Sequence, residues 1–169
     1  MRYRLTDEYS LFYLKFIEEK RGEGAGTWER LTQTQLWKSW SGYAFESLCL
    51  KHVPAIKKAL DIGGIYTEAS SFYAKSSAFG RGIQIDLLVD RNDQAINIFE
   101  IKFYQSPFTL KKEQAEEFRL KKAIFKSVTG TPKQVFFTLL STFPLTANEH
   151  SLGAVDKALD MNCLFEPLE

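Results

Sequence analysis

The sequence predicts an α/β domain in which a helical segment is followed by three strands, a second helix and a fourth strand. Three observations carry that reading. Apolar residues recur at helical spacing between Trp37 and Leu60, strand-like runs occupy residues 65–104, and an amphipathic stretch over 110–128 leads into an apolar run at 134–141. With 169 residues, 44% of them hydrophobic, the chain is long enough for one domain with its own core and too apolar for a disordered or fibrous class.

Residues 3–19 are rich in aromatic side chains, with Leu11, Phe12, Leu14, Phe16 and Ile17 gathered after a Thr6-Asp7-Glu8 stretch suited to capping, which predicts a short helix. Arg21-Gly22-Glu23-Gly24-Ala25-Gly26 then interrupts regular structure and reads as a linker. No Lys-Ser or Lys-Thr follows these glycines, so the chain carries no P-loop of its own. The spacing of Trp37, Trp40, Ala44, Phe45, Leu48, Val53, Ile56 and Leu60 predicts a helix over 36–60, kinked or split at Pro54.

Asp61-Ile62-Gly63-Gly64 ends it, and strands are expected over 65–75, 82–90 and 95–104. Arg91-Asn92-Asp93-Gln94 reads as the turn of a hairpin between the last two. Leu110, Ala115, Phe118, Ala123, Phe125 and Val128 describe an amphipathic helix stopped by Thr129-Gly130-Thr131-Pro132, and residues 134–141 read as a buried strand. A last helix is expected over 151–164.

Lys and Arg number 22 against 21 Asp and Glu, so bulk charge attracts neither nucleic acid nor an anionic membrane, and any phosphate binding must be local. The two cysteines, Cys49 and Cys163, form no CxxC, which excludes a cysteine-rich zinc site or disulfide framework and points to a reducing, cytoplasmic setting. The N-terminal stretch has no signal-like apolar region, and the run from Val135 to Leu140 is too short for a bilayer, so no membrane partner is expected.

Four polar residues fall where core is expected. The run Ala95-Ile96-Asn97-Ile98-Phe99-Glu100-Ile101-Lys102-Phe103 is apolar on both faces, as in a central strand, yet one face carries Glu100 and Lys102. Buried charges are costly unless paired, bound to metal or placed at an opening. Asp86 sits similarly among aliphatic residues, and a hairpin turning about Asp93 sets it opposite Glu100. Two such carboxylates call for a cation between them or a proton on one. Hard oxygen donors suit Mg²⁺ or Mn²⁺ rather than zinc. Glu46, flanked along its helix by Tyr43, Cys49 and Leu50, is a third candidate ligand.

Glu46 on the first helix, Asp86 on the second strand and Glu100-Ile101-Lys102 on the third, in α-β-β-β-α-β order, resemble the PD-(D/E)XK nuclease superfamily over about residues 37–141. More narrowly, Trp40-Ser41-Gly42-Tyr43-Ala44-Phe45-Glu46, Gly82-Ile83-Gln84-Ile85-Asp86-Leu87-Leu88 and Phe99-Glu100-Ile101-Lys102 resemble the C-terminal domain of prokaryotic, archaeal-type AAA+ ATPases. Tyr3-Arg4-Leu5-Thr6-Asp7-Glu8-Tyr9 is similar to the segment that follows the winged helix of that family. One departure is Ile85, which stands where the superfamily name has proline.

The resemblance implies a restriction-endonuclease-like fold with a central mixed sheet and flanking helices over residues 36–169, preceded by a helical and linker segment over 1–35. It implies that the chain is the C-terminal part of a longer ATPase, and that its partners are DNA and that ATPase domain. It also implies phosphodiester hydrolysis, with Asp86, Glu100, Lys102 and Glu46 as catalytic residues. Asp86, Glu100, the Ile101 carbonyl and Glu46 are the implied ligands for Mg²⁺ or Mn²⁺. Lys102 is implied to orient or deprotonate the attacking water, a role helped by a lowered pKa, and to stabilise charge on the phosphate. The alternative is a catalytically inactive module of the same fold that binds DNA or a partner and regulates the ATPase.

Lesser candidates are the basic stretch from Lys111 to Lys126, Lys75 and Arg81 as phosphate contacts, and Tyr73 and Tyr104 as stacking residues. Each also has a plain reading, as a solvated helix face or as core.

Overall fold

A computed structural model describes residues 7–18, 24–75 and 80–165. Residues 3–6, 19 and 21–23 of the expected N-terminal helix and linker lie outside the described residues. The chain is an α/β domain built on a five-stranded mixed sheet, in the order β1-β2-β3-β4-β5, with helices on both faces. No helix among the described residues is long and apolar enough to cross a membrane.

Helix α1 (Glu8–Phe12) starts where Asp7 accepts the Ser10 N–H at 2.7 Å, and continues as a π-helical turn, Tyr13–Ile17. Helix α2 (Thr27–Thr32) was not expected; it begins at Gly26, whose φ of 81° suits glycine. Phe12 and Phe16 lie 5.4 and 5.6 Å, ring centre to ring centre, from Trp40 and Trp37, and Trp28 lies 5.0 Å from Trp37. The tryptophans thus hold the N-terminal helices against the domain.

The helix expected over 36–60 is two helices, α3 (Gln35–Lys51) and α4 (Val53–Ala59). Pro54 stands in the first turn of α4, where its missing N–H has no intrahelical partner to lose, and His52 marks the break. Thr34 caps α3 by accepting the Trp37 N–H at 3.2 Å.

β1 (Thr67–Ala74), β2 (Ile83–Arg91) and β3 (Ala95–Lys102) form an antiparallel meander, and Gln94 takes the left-handed backbone of the expected turn with φ 65°. Helix α5 (Lys112–Thr129) ends at Gly130, φ 60°, and carries the chain to β4 (Gln134–Ser141), which pairs parallel with β3. One cluster beneath α5 gathers Ile83, Ile85, Leu88, Ile98, Phe118 and Phe125. The other, beneath α3 and α4, gathers Leu87, Val89, Phe99, Ile101, Phe45 and Ile56.

The helix expected over 151–164 is replaced by β5 (Lys157–Asp160), parallel to β4, and a 3-10 turn over Met161–Leu164. Gly153, at φ 72°, breaks helical geometry, and Asp156 accepts the Phe137 N–H at 2.6 Å, anchoring the segment to the edge of β4.

Gly82 precedes β2 where the backbone of β1 passes close by: a Cβ there lies 2.3 Å from the Ala74 carbonyl oxygen and 2.6 Å from that of Lys75. Gly82→Ala is therefore expected to destabilise the domain by about 1–3 kcal/mol through forced backbone movement, read as a lower urea midpoint with unchanged slope.

Candidate functional site

The site begins with an irregularity in β2. Against β1, Leu88 pairs with Ser70 and Ile85 with Phe72, so β2 spends three steps where β1 spends two. The extra residue lies at Asp86-Leu87. Its effect is visible in the packing: Ile83 and Ile85 join the α5-side cluster, whereas Leu87 and Val89 join the α3-side cluster. A bulge thus shifts the alternation by one residue and re-aims Asp86. The Asp86 carboxylate accepts the Ile101 N–H at 3.0 Å and lines a cleft of about 320 Å³ with Ile101, Lys102 and the α3 residues Lys38, Tyr43 and Glu46.

The expected hairpin register holds. Leu87 pairs with Phe99 and Asp90 with Ile96; the paired stretch ends at Leu87, one residue short of Asp86, whose carboxylate meets β3 through the Ile101 N–H. The two carboxylates nevertheless meet different surroundings. Glu100 is 3% exposed and receives Lys102 Nζ on Oε1 at 2.6 Å and Lys121 Nζ, from α5, on Oε2 at 2.5 Å. The cation demanded by two adjacent carboxylates is supplied here by two ammonium groups.

Burial raises the Asp86 pKa; the Ile101 N–H opposes that rise, the Glu100 charge adds to it, and the two lysines weaken it. For Lys102, burial acts downward, but the Glu100 carboxylate, with Asp86 and Glu117, outweighs it and holds the ammonium above the ordinary lysine range. In this arrangement the shift runs opposite to the lowering that would favour a base, and Lys102 acts as a cation and donor to Glu100.

Lys121 falls in the basic run that reads as a solvated helix face, but its side chain is only 14% exposed. Its position three residues after Phe118 and four before Phe125 places it on the buried stripe of α5, and that spacing was a readable signal. Its neighbours are also engaged: Lys122 pairs with Asp156 at 2.7 Å and Arg119 donates to the carbonyls of His150 and Leu152. Much of the basic stretch is thus tied to the domain and not held out toward phosphate.

Glu46 is half-buried on α3 and lines the same cleft as Asp86. Both carboxylates lie near Cys49, whose thiol is driven up first by burial and Cys163, with Glu46 and Asp86 adding to the shift. Tyr73 is exposed on the β1 edge, whereas Tyr104 stacks on Phe108 with ring centres 3.6 Å apart.

Among the described residues, no three His, Cys, Asp or Glu side chains form a ready-made metal cluster. The donors that face the cleft are nonetheless of one hard-oxygen type, from Asp86 and Glu46, beside the Ile101 backbone. Glu100 is not among the residues lining the cleft; Lys102, which is, and Lys121 hold its two oxygens. Asp86, Glu46 and the Ile101 carbonyl are donors of the type a Mg²⁺ or Mn²⁺ ion takes.

The class defined by fold and site is an α/β domain with a carboxylate-and-lysine cleft at the bulged end of an antiparallel strand pair. No family model and no curated protein matches the chain. Among solved structures it is similar to the crystal structure of a protein of unknown function, AF1548, at 16% identity and a TM-score of 0.43, over 69% of this chain and 64% of that one. The similarity thus spans less than two thirds of that protein's length.

Proposed function

We propose that this is a restriction-endonuclease-like domain of the PD-(D/E)XK type that hydrolyses phosphodiester bonds in DNA with Mg²⁺ or Mn²⁺, within the C-terminal part of an AAA+ ATPase. The observation that supports it best is the gathering of Asp86, Ile101, Lys102 and Glu46, from two strands and a helix, at one cleft, with Glu100 buried behind it. Asp86, Glu46 and the Ile101 carbonyl would hold the ion, with Glu100 a further ligand were its lysine partners to release it. A bound ion would supply Lewis acidity toward the phosphate and a more acidic water. Lys102, which lines the same cleft, would stabilise the charge developing on the phosphate.

A second reading rests on the same clamp. If Lys102 and Lys121 neutralise Glu100 permanently, the ion has no complete site, and the domain is an inactive nuclease fold that binds DNA or a partner and regulates the ATPase. Calorimetric titration of Mn²⁺ and Mg²⁺ into the wild-type domain and Glu100→Ala, followed by plasmid cleavage, separates the two. Saturable binding with nicking, both lost in Glu100→Ala, is the expected result. DNA affinity that falls with salt, without metal binding or cleavage, selects the regulatory module.

A further inference from the structure

Beside the carboxylate-lysine cleft runs a second cavity. It is a groove of about 480 Å³ between the N-terminal helices and α3, lined by Leu11, Leu14, Lys15, Trp40 and Tyr43, with Glu8 at its wall. Tyr43 lines both cavities, and it is 66% exposed although it lies on a helix whose buried face is Ser41, Phe45 and Cys49. An aromatic ring left in solvent at the rim shared by an apolar groove and a charged cleft has no role in the core.

We propose that Tyr43 is a substrate-positioning residue on which a base of a single-stranded DNA segment stacks, the next base entering the groove over Leu14 and Trp40 while the intervening phosphate lies in the cleft. The inference rests on the nuclease reading above and names its substrate class. The cleft carries Lys38 and Lys102 beside Glu46 and Asp86; with the two carboxylates committed to the metal ion of the nuclease reading, the lysines are left to face a phosphate. Lys15 lines the groove, and the carboxylate of Glu8 is already paired with Lys51 at 2.7 Å. The groove's size and apolar, aromatic wall suit a planar base better than a sugar or phosphate. Bases reach such a surface only when unstacked, so unpaired DNA fits and the interior of an intact duplex does not.

The test measures fluorescence anisotropy of a short labelled oligodeoxythymidylate and of a blunt duplex of equal length, with Ca²⁺ replacing Mg²⁺ to slow cleavage. Wild type is expected to bind the single strand more tightly. Tyr43→Ala and Tyr43→Leu, the second keeping apolar bulk on the helix, are expected to lose about tenfold for the single strand, within the range for one stacked base, and under about twofold for the duplex. Tyr43→Phe keeps the ring and is expected to stay within about twofold of wild type. If Tyr43→Ala and Tyr43→Leu bind the single strand as wild type does, while wild type still cleaves plasmid with Mg²⁺, this inference falls and the nuclease reading stands. If wild type neither binds nor cleaves either DNA, both fall together.

Discussion

Asp86→Asn is expected to abolish metal-dependent cleavage while leaving the domain folded and, above mildly acidic pH, at least as stable as wild type. The activity loss should reach at least roughly a hundredfold to a thousandfold, the scale on which one preorganised electrostatic group is felt in a reaction. The stability effect has the opposite sign for a definite reason. Burial, reinforced by Glu100, raises the Asp86 pKa in the folded chain, so the folded state holds this proton more tightly than the unfolded state does. The contribution of Asp86 to stability is therefore complete below its ordinary value of 3.8 and is lost as pH rises through the raised folded value. An amide removes the charge and still offers an oxygen to the Ile101 N–H, which the carboxylate now accepts at 3.0 Å. Thermal melts of the two proteins should coincide in acid and separate in favour of Asp86→Asn as pH rises. A variant less stable at neutral pH would show that Asp86 is a structural residue, because only a group kept for another purpose is held charged where charge is unfavourable.

The parts of the fold set by local pattern were legible in the sequence. β4 runs over Gln134–Ser141 as its apolar run predicts, the hairpin turns where Arg91-Asn92-Asp93-Gln94 places it, and α5 ends at Gly130. What escaped depended on long-range pairing. β5 is strand because β4 has an open edge and Asp156 ties the chain to it, neither of which is written in residues 151–164. The site divides the same way. Asp86, Glu100 and Lys102 stand out as charges in apolar strands, and the register between their strands follows from the turn. The bulge that aims Asp86 at α3 is less visible, although the consecutive apolar run Leu87-Leu88-Val89 after alternating Ile83 and Ile85 marks the change of phase. Lys121 was hidden because charge on a helix reads as solvent until the buried stripe is traced through it.

Lys121→Met is expected to be the most destabilising change at the site that spares the backbone. Glu100 lies on β3 in the interior of the sheet, beside Leu139 of β4, and its Oε2 is met by Lys121 from a side chain that is itself largely buried. Removing one partner of such a pair leaves a carboxylate oxygen in low dielectric, which costs about 3 kcal/mol. For a chain of this size that lowers Tm by roughly 6–12 °C. Lys102→Met should cost less than Lys121→Met, because its side chain is 47% exposed and its charge is already partly screened by solvent. Adding Glu100→Gln to Lys121→Met removes the stranded charge and should restore most of the loss, so the double-mutant cycle reports a large coupling. Strict additivity would mean that the two side chains do not depend on each other. The same variant also probes the clamp: with Lys121 gone, Glu100 lacks one of its two cations, and a divalent ion able to bind there stabilises the folded state in proportion to its occupancy. Mn²⁺ should therefore raise the Tm of Lys121→Met more than that of wild type on the metal-site reading, and raise neither if the lysines have permanently taken the metal's place.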